Sequence, residues 1–147
     1  MLDQNALDTL FIKARSHNGW LDTNISDDKI HQIYELMKYG PTAANNSPAR
    51  ITFVKSDSAK QKLKAHLDEG NIEKSMEAPV VAIISYDIEF YEKLGFLFPH
   101  TDAKSWYAGN DAKIKQAGEM NATLQGAYFM LAARSVGLDC EIGRAHV

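Results

Sequence analysis

The sequence predicts an α+β fold: one domain in which helices pack against a modest sheet. Segments with helical apolar periodicity alternate with two short apolar strand-like runs, at residues 51–55 and 80–86. The length of 147 residues is enough to bury a single core and corresponds to one domain. The sequence contains no internal repeat and no low-complexity segment.

The N-terminal part of the chain predicts two helices. Apolar residues at helical spacing place the first over residues 4–14. Ser26, followed by two aspartates, has the features of a helix start, since the hydroxyl can cap the helix and the acids favour its positive end. Gly40 and Pro41 are typical of the end of that second helix.

The middle of the chain predicts two strands separated by helices. After the strand at 51–55, a basic amphipathic helix is expected from Ser56 to Gly70, and a short helix over residues 71–77. The run at 80–86 is continuously apolar, which is typical of a central strand covered on both faces.

The C-terminal part predicts a long helix after a helical excursion. Residues 87–111 are rich in aromatic side chains and too long for a plain connection, so a small helical excursion or lid is expected. Residues 112–136 predict the longest helix, apolar nearly all round in its second half and therefore a core or interface element. A further strand is expected to begin at Leu138.

Composition and charge exclude several classes of protein. The net charge is −3, with basic residues dispersed among acids, which argues against nucleic-acid binding. No apolar run is long enough to span a membrane, and the N-terminus does not resemble a signal peptide. The single cysteine, Cys140, fits a reducing compartment, so a cytoplasmic location is expected. The five histidines have no metal-like spacing, and no metal is expected.

The loop at residues 41–50 is the most informative segment. It is polar, has two prolines and little bulk, and lies between a helix and a strand. Such loops commonly supply hydrogen bonds to planar or charged ligands. The alternative is a structured turn stabilised by its own asparagines.

Two further polar clusters accompany this loop. Asn71 and Lys74 are three residues apart at a helix start, which places an amide and a cation on one helix face. Arg15, Ser16 and His17 follow the first helix and could bind a phosphate. The alternatives are that Asn71 is an N-cap, Lys74 a solvated lysine and Arg15 a helix-capping cation.

Motifs for other chemistries are missing from the sequence. Ser47 lacks the nucleophile-elbow glycines, and no dinucleotide-binding or Walker-type glycine loop occurs. His100 and Asp102 could form an acid–base pair, but a loop-capping role suits them better. The spacing of residues therefore assigns no catalytic residue.

The chain resembles the nitroreductase superfamily from about Leu10 to Cys140, and its short malonic-semialdehyde reductase branch more closely. The resemblance rests on ARSHNGWLD at 14–22, GPTAANNSPAR at 40–50, EGNIEK at 69–74, APV at 78–80, YD at 86–87 with FYEKL at 90–94, LFPH at 97–100, and the segment from LQGAY at 124–128 to GLDC at 137–140. It implies a three-layer α+β sandwich and FMN bound at a homodimer interface.

The resemblance also implies roles for individual residues. Arg15, with Ser16 and His17, would lie at the FMN phosphate, and Thr42 and Asn45 would contact the flavin partly across the dimer. Asn71 and Lys74 would hold the pyrimidine edge. Family members tend to have serine at the position of His17 and a cation at that of Gly19, so hydride chemistry here is expected to depend more on Lys74.

The implied function is that of an FMN-dependent oxidoreductase using NADPH or NADH. Its substrate would be a small 3-oxo acid or aldehyde, malonic semialdehyde reduced to 3-hydroxypropanoate, with side activity on nitro compounds or quinones. The alternatives are a non-catalytic flavin-binding or interaction domain, an inactive fragment of the enzyme, and polar loops that are only structural.

The last seven residues are expected to be foreign to the domain. Residues 141–147, EIGRAHV, show neither strand alternation nor a helix cap, and match the translation of a common sequencing-library adapter. The domain is thus expected to span 1–140 and to be incomplete at the C-terminus, where the family has a last strand, backbone contacts to the isoalloxazine and a basic residue at the phosphate. We accordingly expect impaired flavin retention and activity in this chain.

Overall fold

The computed structural model describes residues 1–143, in which eight regular elements follow the predicted alternation. The bounds of the helices and strands are α1 Gln4–Leu7, α2 Asp27–Met37, β1 Ala49–Val54, α3 Asp57–Lys64, α4 Glu69–Glu77, β2 Val81–Tyr86, α5 Leu94–Leu97 and α6 Asp111–Ser135. A π-helical turn at Asp8–Ile12 continues α1, so the first predicted helix is present but irregular. Residues 144–147, part of the tail expected to be foreign, lie outside the described residues.

The capping residues predicted from the sequence lie at the start of α2 and at the end of α6. The hydroxyl of Ser26 accepts a hydrogen bond from the Lys29 amide at 3.2 Å and caps α2. At the end of α6, Gly137 has a φ of +84°, and the Leu138 amide donates to the Ala133 carbonyl at 3.0 Å. This arrangement closes the helix C-terminus, and glycine adopts the required left-handed conformation without a Cβ clash.

Both helices predicted between the strands are present, but the boundary between them lies before Gly70 rather than after it. α3 ends at Lys64, and α4 begins at Glu69 with Asp68 as its N-cap residue. The alternative interpretation of Asn71 as an N-cap is therefore wrong, because Asn71 already lies in the first turn of α4. Its spacing from Lys74 still places the two side chains on one helix face.

The two strands form an antiparallel pair in which Ala49 lies opposite Tyr86 and Val54 opposite Val81. Helix α6 packs against both strands, and α2 packs against α6. The predicted excursion at residues 87–111 is present as α5 flanked by two 3-10 turns.

The described chain has two clusters of buried side chains. The larger contains Phe90 and Leu94 of the excursion with Ala103, Tyr107, Ile114 and Ala117. The smaller joins α2 to the end of α6 through Ile33, Met37, Ala132 and Ala133. Helix α6 contributes to both clusters and therefore connects the excursion to the rest of the fold.

Two strand predictions are wrong for the described residues. β2 pairs only with β1, and its Ile83 and Ile84 are each 38% exposed, so it is not covered on both faces. An apolar sequence shows how much surface a strand can bury. The elements that pack against the strand in the fold decide how much of that surface is buried. The expected strand at Leu138 is irregular, because its first amide closes α6 and the chain then turns toward α4.

Two glycines of α6 provide a matched test of packing. A Cβ on Gly118 would lie 2.5 Å from the Tyr86 ring, whereas a Cβ on Gly126 would meet Ile84 at an ordinary 3.8 Å. We expect Gly118→Ala to lower the free energy of unfolding by about 1–3 kcal/mol through overpacking. Gly126→Ala should raise it by up to about 1 kcal/mol, because alanine has the higher helix propensity. Urea unfolding of both variants would measure this, and equal changes would contradict the packing of α6 on β2.

Candidate functional site

A large cavity of about 1260 Å³ runs along β2. All six residues of β2 line it, whereas β1 contributes only Phe53 among the described residues. Helix α6, which packs beside β2, also lines the cavity through small and apolar residues that include Ala122, Gly126, Phe129 and Met130. The cavity therefore has a broad apolar wall suited to a flat, largely apolar molecule.

One end of the cavity is polar, and Lys74 lies there. Its ammonium forms an ion pair with the Glu141 carboxylate at 2.7 Å, and the two side chains are only 18% and 15% exposed. The backbone carbonyl of Lys74 accepts a hydrogen bond from the Trp20 indole at 2.8 Å. This hydrogen bond attaches the connection between α1 and α2 to α4. Because its side chain is largely shielded and paired, Lys74 is not the solvated lysine of the alternative interpretation.

His17 and Asn71 lie beside the same C-terminal segment. His17 also lines the cavity, and its Nε2 lies 3.8 Å from the Asp139 carboxylate. Gly143 packs against Asn71, since a Cβ on Gly143 would lie 3.4 Å from the Asn71 Cγ. Three predicted site residues, His17, Asn71 and Lys74, thus all neighbour residues 139–143.

Thr42 and Asn45, the predicted site residues of the loop, form hydrogen bonds with other residues of this chain, away from the cavity. The Thr42 hydroxyl accepts a hydrogen bond from the Ser47 amide at 3.1 Å, and the Asn45 side chain donates to the Leu97 carbonyl at 2.9 Å. Neither residue lines the cavity along β2. The loop also has positive φ at Ala44, Asn45 and Ser47, a strained conformation that its surroundings must hold.

Two α6 side chains hold this loop, and the sequence analysis did not identify them. Asn121 is fully buried and accepts from the Ala43 amide at 2.8 Å, while Gln125 accepts from the Ala49 amide at the same distance. Their spacing of four residues, which places both on one face of an otherwise apolar helix, could have indicated a shared partner. Asn46 is also buried, and neither of its amide atoms has a hydrogen-bond partner within residues 1–143.

Arg15 and Ser16 are exposed and do not line the cavity. The Arg15 guanidinium donates to the carbonyls of Ile12 and Ala14, each at 2.7 Å. In this chain Arg15 therefore makes the helix-capping contacts of the alternative interpretation. Its phosphate-binding role stays a prediction.

Cys140 lies at the edge of the cavity and is partly buried. Burial raises the pKa of its thiol above the ordinary value, an effect that Arg134 opposes and Asp139 reinforces. A raised pKa leaves less thiolate at neutral pH, so Cys140 is a poor nucleophile there.

Two searches of the described part of the chain gave negative findings. Within residues 1–143, no three side chains of the His, Cys, Asp and Glu types are grouped so as to hold a metal ion. None of the helices in that range has the length and apolar character needed to cross a membrane.

The profile of the nitroreductase family matches residues 13–142 of this chain. A protein of Ralstonia nicotianae, provisionally named NADH dehydrogenase/NAD(P)H nitroreductase, is 52% identical over 139 residues, which are 95% of this chain and 71% of that protein. A Burkholderia lata protein with the same provisional name is 54% identical over 138 residues, covering 94% of this chain and 71% of its own length.

Solved structures of low sequence identity share the fold. A Bacillus subtilis nitroreductase-type protein, ydfN, superposes with a TM-score of 0.80 at 20% identity, over 96% of this chain and 77% of its own. An Exiguobacterium sibiricum protein of the same type, solved in complex with FMN, gives a TM-score of 0.79 at 16% identity, over 95% of this chain and 74% of its own. These likenesses establish a nitroreductase-like α+β fold.

Proposed function

Because the chain belongs to the nitroreductase family, we propose that it is an FMN-dependent NAD(P)H oxidoreductase acting on a small carbonyl compound. The general activity in this proposal follows the provisional names of the relatives, and the cofactor follows the structural neighbour that was solved in complex with FMN. The observation that carries the proposal is the ammonium of Lys74 at the polar end of an apolar cavity of about 1260 Å³.

The residues at this cavity fit the ring system of FMN. The cavity volume of about 1260 Å³ is larger than the range of about 300–1,000 Å³ that is common for small-molecule sites, so the cavity has room for the ring system. Side chains of β2 and α6 offer apolar contact to the ring faces, while Lys74 offers a positive charge to the pyrimidine edge. Asn71 lies on the same face of α4 as Lys74, where its amide can donate and accept at that edge.

Bound FMN would supply the capacity to take a hydride from NAD(P)H and pass it to an electron acceptor. Overall, NAD(P)H, a proton and an aldehyde would give NAD(P)⁺ and an alcohol. Lys74 would contribute a charge fixed before the reaction at the edge where negative charge accumulates. The apolar wall would exclude water from that charge and so increase its effect.

Within residues 1–143 of one chain, the residues predicted for the phosphate end of the site are not brought together. The Arg15 guanidinium donates to the nearby carbonyls of Ile12 and Ala14, and Thr42 and Asn45 contact other parts of the loop and the excursion. We propose that a second copy supplies the loop at residues 41–50 to each flavin, as the family resemblance implies. Exposed apolar side chains on α2 and just beyond it, including Leu36 at 48% and Tyr39 at 80% exposure, provide a surface for that pairing.

The substrate class rests on the closer resemblance to malonic-semialdehyde reductases. We propose malonic semialdehyde as the substrate and 3-hydroxypropanoate as the product, with quinones and nitro compounds as secondary acceptors.

The test is a flavin titration followed by turnover. FMN fluorescence should be quenched in a saturable manner by the purified chain, with light scattering used to relate bound flavin to the dimer. At saturating FMN, NADPH or NADH should be consumed in equal amount to the 3-hydroxypropanoate formed from malonic semialdehyde. Because we expect this chain to be impaired, the turnover is expected to be slow rather than high.

The possible results separate the candidate functions. No saturable flavin binding up to millimolar FMN would contradict the proposal and leave the polar loops as structural features. Flavin binding without NAD(P)H consumption by any acceptor would support the non-catalytic flavin-binding domain. Consumption with menadione or nitrofurazone but not with malonic semialdehyde would contradict only the substrate class.

A further inference from the structure

Helix α6 presents two different faces to the rest of the chain. Gly126 and Met130 belong to the face that lines the cavity. Asn121, Gln125 and Tyr128 do not line it, and their spacing of i, i+4 and i+7 places them together on one helix face. At 3.6 residues per turn, that face lies roughly opposite Gly126 and Met130. The two faces can therefore be altered independently.

The face formed by Asn121, Gln125 and Tyr128 holds the loop at residues 41–50. Each side chain makes one hydrogen bond of 2.8 Å with the loop backbone: the Ala43 amide donates to Asn121, the Ala49 amide donates to Gln125, and the Tyr128 hydroxyl donates to the Pro41 carbonyl. Gly40, directly before the loop, also lies against the Tyr128 ring, since a Cβ at this position would overlap it. Because the hydrogen bonds join backbone atoms near both ends of the loop, they fix the path of the chain through it.

The loop needs this support because its backbone is strained. Ala44, Asn45 and Ser47 have φ values of +49°, +52° and +38°, a region that residues with a Cβ occupy at a cost. Such a conformation persists only where the surroundings hold it. Loss of a hydrogen bond from α6 therefore lets the loop relax, and Asn45, which is proposed to contact the flavin, moves with it.

We propose that Asn121, Gln125 and Tyr128 are positioning residues for the flavin of the partner subunit. This inference rests on the proposed function, in which the loop at residues 41–50 serves the flavin bound by the other copy. The three side chains lie away from the cavity of their own chain, so they act on a flavin only through the loop. Helix α6 thus takes part in both sites of a dimer, because it lines one flavin cavity and holds the loop that completes the other.

Two substitutions remove single hydrogen bonds from this face with little change in volume. Tyr128→Phe removes only the hydroxyl, and Gln125→Met removes the acceptor of the Ala49 amide. Each should raise the dissociation constant of FMN about three- to tenfold, the factor that corresponds to one hydrogen bond. Gln125→Glu keeps an oxygen that can accept from the same amide and should lose less affinity than Gln125→Met. Fluorescence quenching measures these constants without any turnover.

Val54→Ala is the control for a loss of stability alone. Val54 is buried at the end of β1 that lies away from the loop, and it does not line the cavity. Its truncation should lower the melting temperature but change the dissociation constant of FMN less than about twofold. If FMN affinity falls with thermal stability in the same way across Val54→Ala, Tyr128→Phe and Gln125→Met, the α6 side chains are only structural and the proposal is overturned.

Mixed dimers test whether the effect passes between subunits. One chain carries Lys74→Ala, the other carries Gln125→Met with Tyr128→Phe, and different affinity tags allow the mixed dimer to be purified after coexpression. Under the proposal, the cavity with an intact Lys74 receives a loop held by an intact α6 face, so one of the two sites is complete. At an FMN concentration equal to the dissociation constant of the unaltered chain, the mixed dimer should consume NAD(P)H about half as fast as the unaltered dimer.

The other outcomes separate this inference from the function on which it rests. If the α6 side chains act within their own chain, the mixed dimer has no complete site and its rate is the mean of the two homodimers, which would refute the transfer between subunits. FMN bound by a monomer of the unaltered chain would refute it as well. Unchanged FMN affinity in Tyr128→Phe and Gln125→Met would refute the positioning role while the flavin site stands. If the unaltered chain binds no FMN, the proposed function itself fails and this inference fails with it.

Discussion

Replacing Lys74 by alanine is expected to lower the residual NAD(P)H-consuming activity by about 10²-fold at saturating FMN. One preorganised donor or charge at the place where negative charge develops contributes about this much to a rate. Flavin should still bind, because the apolar wall of β2 and α6 is unchanged. The measurement is steady-state turnover with flavin occupancy determined in the same samples.

The control for this prediction is Lys62→Ala. Lys62 is an exposed lysine of α3, so its loss changes the net charge equally and leaves the cavity intact. Because Lys74→Ala leaves the shielded Glu141 without its partner, the stability of each variant should be compared by thermal unfolding. Unchanged turnover in Lys74→Ala with FMN bound would mean that Lys74 has no part in the chemistry.

Phe90→Ala is expected to lower the free energy of unfolding by about 3–5 kcal/mol. Phe90 is only 1% exposed, and its ring meets the Tyr107 ring edge-on with the centroids 5.0 Å apart. Removing it leaves a cavity in the larger of the two buried clusters. Since a domain is typically stable by about 5–15 kcal/mol, this one change removes a large share of the total. Urea unfolding followed by tryptophan fluorescence would measure it.

Phe96→Ala is the matched control, because Phe96 lies six residues away and is 86% exposed. Its replacement should change the free energy of unfolding by no more than about 0.5 kcal/mol. If Phe90→Ala does not fold, Phe90→Leu keeps most of the volume and should show a smaller loss in the same direction. Similar losses for Phe90→Ala and Phe96→Ala would mean that the excursion does not pack as described.

Local residue types were sufficient to predict most elements. Ser26, Ser56 and Gly137 act at helix ends through their own side chains or backbone, so neighbouring sequence alone indicates them. The two strands and the long helix were also predicted within about two residues, because their apolar patterns are strong. The division between α3 and α4 was predicted but placed too late, at residues 70 and 71, since a basic amphipathic pattern continues beyond the end of α3.

The site was only partly predictable for a different reason. The spacing of Asn71 and Lys74 on one helix gave their common face without any knowledge of the fold. The support of the loop by Asn121 and Gln125 was missed, because those contacts join residues 76 to 78 positions apart. A pattern within one helix shows which face is shared but not which loop lies against it.

By itself, the sequence determined the fold class, the alternation of elements, the family and the polar clusters from which a flavin site could be built. Each of these depends on local periodicity, on capping chemistry or on residues matched in order along the chain. Only the tertiary structure decided that β2 has just one strand neighbour within the described chain, that Thr42 and Asn45 lie away from the cavity, and that Glu141 pairs with Lys74. Those outcomes depend on which distant surfaces meet, and the free energy of such contacts arises from burial and charge pairing across the fold rather than from neighbouring residues.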